Sequence, residues 1–135
     1  MNVAIELHDS TVTALTIEPT LVRLMLNTYV HQSPGRPGVD AGTGWLQEAV
    51  LEIEGGVMQG EFDHLPWDLD DGWCQIGDAR FDNHVPVPLS RGQFQIHVVE
   101  AFSQKTVTIA GANARLELVG EPEFVENYPR DPWTK

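Results

Sequence analysis

The chain is short of cations. Eight Lys and Arg stand against twenty Asp and Glu, a formal charge of −12 over 135 residues, and such a surface repels both a phosphate backbone and an anionic bilayer. Nucleic acid and membrane are therefore excluded as expected partners. The shortage is local as well as global: no Lys or Arg lies between Arg36 and Arg80, an interval holding ten acids. A run of this kind attracts a cation or a basic partner, or simply stays hydrated and keeps the chain soluble.

Cysteine is nearly absent too. Cys74 alone rules out an internal disulfide framework and a multi-cysteine zinc site. No apolar run approaches the roughly 20 residues that span a bilayer, and MNVAIELHDSTV has neither a basic n-region nor a long apolar h-region. The expected compartment is the cytoplasm. Catalytic signatures are missing as well. There is no HxH or HExxH pair among His8, His31, His64, His84 and His97, no G-x-S-x-G around a serine, and no Walker A or GxGxxG pattern among the glycines.

What the sequence does contain is alternation. Val3, Ile5 and Leu7 alternate with Ala4, Glu6 and His8, and Asp9-Ser10 then reads as a turn ending a first strand. Thr11 to Glu18 is β-branched-rich. In 21–31 the residues Val22, Leu24, Leu26, Thr28 and Val30 share one face, which favours a strand over a helix. Residues 32–44, QSPGRPGVDAGTG, form a long loop. The segment 45–54 fits both periods and is read as a strand, because it is short and lacks a clean N-cap. Gly55-Gly56 reads as a hairpin turn into 57–62, and 63–72 as an acidic loop. The prolines of 84–89 place that piece at a sheet edge. Residues 92–102 alternate well, and 105–110 with 114–119 read as a final hairpin.

Eight to ten short strands without a helix specify an all-β fold, an antiparallel β-sandwich of jelly-roll or immunoglobulin-like type, with a closed β-barrel as the alternative. The expected organisation is one domain over 1–120 and an extended C-terminal tail over 121–135.

The densest chemistry is FDHLPWDLDDGWCQIGD, residues 62–78. Asp63, His64, Asp68, Asp70 and Asp71 are the candidate metal ligands, hard oxygens with one imidazole, although their spacing before Gly72 does not fit an EF-hand. No cofactor is expected beyond a divalent cation at these residues. Trp45 and Trp67, with His64, are the candidate ligand-binding residues, since aromatic faces stack on apolar sugar faces while carboxylates and amides accept hydroxyl hydrogen bonds. The expected function is a non-catalytic binding or interaction module for a protein or a small polar or saccharide ligand. A cation-dependent enzyme using the 63–71 loop, and a structural subunit pairing its edge strands in a homodimer, are the alternatives. No motif carries a family assignment.

Overall fold

The fold is given by a computed structural model that describes residues 1–128. Ten strands are present among the described residues: β1 (Asn2–Glu18), β2 (Leu21–Ser33), β3 (Gly42–Glu54), β4 (Val57–Gln59), β5 (Trp67–Ile76), β6 (Ala79–Asp82), β7 (His84–Val87), β8 (Phe94–Glu100), β9 (Thr106–Gly111) and β10 (Asn113–Tyr128). All pairings are antiparallel, in the order β10-β3-β2-β1-β5-β8-β9-β4, with β6 added to β5 and β7 to β1. The sheet folds over on itself at β1 and β5 as a sandwich. One core spans both halves, joining Ile5, Leu24 and Leu51 to Ile96, Val107 and Ile109. The sheet stays open, its path ending at β10 and β4, so the closed-barrel alternative does not occur.

Alternation explains which face each strand buries. In β8, Phe94, Ile96 and Val98 are buried while Gln95 and His97 stand half-exposed, as the period of two requires. The expected strands over 21–31 and 45–54 are β2 and β3.

Several boundaries differ from the sequence expectation, each for a local reason. The first strand does not stop at Asp9-Ser10. Asp9 takes φ 75° and the register with β2 slips between Glu6 and Thr11, so the turn-forming pair makes a bulge that bends β1 without ending it. Gly55-Gly56 is not a hairpin turn, because β4 pairs with β9 and the glycines carry the chain from one half of the sandwich to the other. The same holds at 111–113: β9 pairs with β8 and β4, whereas β10 pairs with β3. The acidic loop expected over 63–72 is strand from Trp67 onward. The tail expected from 121 is in β10 as far as Tyr128, opposite Gly42–Leu46 of β3, and residues 129–135 lie outside the described residues.

Candidate functional site

On the outer face of the β10–β1 half, paired residues place side chains in rows. Register sets His84, Glu6, Tyr29 and Leu46 side by side, and in the next row Pro86, Ala4, His31 and Gly44. An outward row of a sandwich is normally wet, yet His31 is only 4% exposed. Rings from β2, β7 and the end of β10 pack around it. The ring of Tyr128 stands edge-on to His31 at 5.1 Å between centroids, with Tyr29 at 4.8 Å and His84 at 6.1 Å.

Within this cover, Glu6 is the hub. One carboxylate oxygen lies 2.8 Å from His31 Nε2, and the other accepts from Asn83 Nδ2 at 3.2 Å. Burial pushes the Glu6 carboxyl up, but the hydrogen bond and charge of His31, with the hydrogen bond of Asn83, outweigh it and hold the group below its usual 4.5. Asn83 is itself fixed at the β6–β7 corner with φ 61°. Its backbone N–H donates to Gly72 O and its carbonyl accepts from Leu7 N, both at 2.8 Å.

Two glycines make the cover fit. At Gly44 a Cβ would collide with the Tyr29 hydroxyl, so Tyr29 leans across a strand position that has no side chain. Gly38, with φ 80°, packs against His84 Nε2 where a Cβ would not fit. His84 Nδ1 lies 3.0 Å from the Asp82 carbonyl. A carbonyl only accepts, so Nδ1 carries the proton.

Beside this cluster runs a groove of about 510 Å³ between the start of β1, β7 and loop 34–41. Its walls are mainly apolar, from Val3, Ala4, Pro37, Val39, Pro86 and Val87, with Asn2, Arg36 and His84 as the polar lining. The Arg36 side chain is largely exposed, and its nearest carboxylate, Asp40, is 3.8 Å away.

The residues expected to form a site lie elsewhere and do not converge. Asp63 accepts from Trp67 Nε1 at 3.0 Å and from Lys105 Nζ at 2.7 Å. Those two hydrogen bonds, that of Lys105 first, hold its carboxyl down at about 2. His64 sits edge-on to Trp67 at 6.5 Å. Asp68 accepts from Thr11 Oγ1 at 2.8 Å, Asp70 from Gln104 Nε2 at 3.1 Å, and Asp71 from the N–H of Gly72 at 2.8 Å. Each carboxylate thus has its own hydrogen-bond partner. Trp67 is 0% exposed, so its ring has no face to offer a sugar, and Asp63 serves to satisfy its indole N–H. Trp45 is half-buried, edge-on to Phe124 at 5.3 Å, with its N–H donated to Thr43 Oγ1.

Glu6, His31, Asn83 and His84 were not expected as a group. The available signal was a strand alternation that put Glu6 and His31 outward, beside glycines at positions 42 and 44. Reading those glycines as space for aromatic rings requires knowing that β3 neighbours β2. In comparisons with protein-family models, curated proteins and solved structures, the chain matches none of them.

Proposed function

We propose that the protein is a non-catalytic binding module whose ligand is a small molecule with an apolar body and an anionic head, held in the groove beneath loop 34–41. The observation that carries this reading is a mainly apolar cleft of about 510 Å³ whose lining includes a cation and an imidazole. Small-ligand sites typically have volumes of roughly 300–1,000 Å³, apolar walls and few polar groups. The body lies against Val3, Pro86 and Val87, and the head meets Arg36 and His84. Loop 34–41 is then functional, one of the two roles, functional or mobile, open to a loop of this length.

Among the described residues, the serine hydroxyls and the thiol nearest the cleft are engaged or hard to ionise, which favours binding over catalysis. The Ser10 hydroxyl donates to Glu6 O and accepts from Tyr29 N, and that of Ser33 donates to Ala41 O and accepts from Gly35 N. Burial pushes the Cys74 thiol up to about 12, and thiols act as nucleophiles only when ionised. Edge-to-edge homodimerisation has weaker support, because the open edge strand β10 carries Glu117, Glu121, Glu123 and Glu126, and like charges oppose pairing with a second copy. A cytoplasmic setting accords with the charge and with the finding that no helix among the described residues is long and apolar enough to cross a membrane.

Thermal unfolding with a panel of medium-chain carboxylates, the matching alcohols and simple saccharides tests the reading. Carboxylates should raise the midpoint most, by mass action on the native state, and Arg36→Gln should remove their advantage over the alcohols. A response to saccharides alone, or none to any of the three classes, would refute it.

A further inference from the structure

We propose a second, separate site: a divalent transition-metal centre formed by Glu6, His8 and Asp9 at the bulge of β1. In a regular strand, His8 and Asp9 would point to opposite faces. Here the φ of 75° at Asp9 brings the two side chains together, with His8 Nδ1 3.3 Å from Asp9 Oδ1. Two ligands about 2.0–2.1 Å from a tetrahedral ion stand roughly 3.3 Å apart, so this pair already has the spacing that such an ion demands. Glu6 completes the set, since ligand atoms of all three residues lie within 4.8 Å of one another.

The surroundings are those of supported ligands. Asn83 Oδ1 accepts from the backbone N–H of His8 at 2.7 Å and fixes the start of the bulge. His31 and Asn83 orient the Glu6 carboxylate, leaving lone pairs on both its oxygens. Hydrogen bonds of this kind behind the ligands orient them and raise their basicity. Charge points the same way. Among the described residues, the ion pairs of these three groups are with histidines and not with Lys or Arg, so no fixed Lys or Arg charge occupies the place of an ion. An imidazole in the donor set favours zinc and its first-row neighbours over calcium or magnesium. Three protein ligands leave a coordination position open to water.

The proposal does not depend on a ligand in the neighbouring groove, because His8 and Asp9 do not line it. Isothermal titration of the chelator-stripped protein with Zn²⁺, and in parallel with Ca²⁺ and Mg²⁺, tests it. The expected result is one Zn²⁺ per chain, with Ca²⁺ and Mg²⁺ at least tenfold weaker. His8→Ala and Asp9→Gly should each lose at least tenfold in Zn²⁺ affinity. Both positions are exposed, and glycine accepts the φ of Asp9, so circular dichroism should report an unchanged fold. His64→Ala, at an exposed imidazole far along the chain from the bulge, should bind as the parent does. Absence of Zn²⁺ binding, or binding indifferent to His8 and Asp9, would overturn the assignment.

Discussion

Replacing Glu6 by alanine strips the acceptor from two donors at once. His31 Nε2 then has no partner in a pocket where its side chain is 5% exposed, and an unsatisfied buried donor costs about 1–3 kcal/mol. Asn83 Nδ2 is less enclosed and can recruit water, adding less, so Glu6→Ala should destabilise by about 2–4 kcal/mol. Urea unfolding followed by tryptophan emission reads this through Trp67 in the core. With a slope of about 2 kcal/mol per molar, the midpoint should fall by about 1–2 M. His31→Ala should be similarly harmful, and the double variant should cost less than the sum of the singles by about 1–3 kcal/mol, because the second change removes a group already orphaned.

The pH dependence has a definite sign. The carboxyl of Glu6 is held below its usual 4.5 in the folded chain, so its contribution is fully present above that unfolded value. It is lost as pH falls through the lower folded value. The gap between parent and Glu6→Ala should therefore be flat from neutrality to about pH 5.5 and close below 4.5. Additivity of the single variants within about 0.5 kcal/mol, or a gap that widens on acidification, would refute the hub role assigned to Glu6.

Other perturbations follow from the same geometry. Gly44→Ala drives a methyl into the Tyr29 hydroxyl and should cost about 1–3 kcal/mol by overpacking, with near-ultraviolet dichroism reporting the displaced ring. Lys105→Met removes the principal partner of Asp63, whose NMR-detected pKa should climb from about 2 back toward 3.8; an unmoved value would show that Lys105 does not set it. Cys74, buried with its thiol pushed up to about 12, should resist a thiol reagent at pH 8 in the native state and react on unfolding. Rapid native labelling would contradict its placement.

Fold class was legible in the sequence because alternation in 3–8, 21–31 and 92–102 is a local property of a half-buried strand. Pairing was not. Gly55-Gly56 has the composition of a hairpin turn, and only the packing of Val57–Gln59 on β9 decides that it is a crossing between sandwich halves. Composition likewise singled out residues that the fold gives separate partners. Asp68, Asp70 and Asp71 are crowded along the chain, but a strand sends successive side chains to opposite faces, and in β5 each finds a different partner. Glu6 and His31 are separated by 25 positions, and their meeting depends on the β1–β2 register. The prolines and glycines of 32–44 marked a long loop, but its ends are strand: Gln32 pairs with Thr43 and Ser33 with Asn2, so only 34–41 stays outside the ladders.

The binding reading is tested most directly by amide chemical-shift mapping of the ¹⁵N-labelled protein during titration with the best carboxylate from the panel. The shifts should concentrate at Val3, Ala4, Arg36, Val39, His84 and Val87, and vanish when Ala4→Leu fills the groove floor. Shifts that centre instead on Gln75, Gln93 and Gln95, which line a cavity of about 500 Å³ on the other half of the sandwich, would contradict it, as would shifts that survive Ala4→Leu.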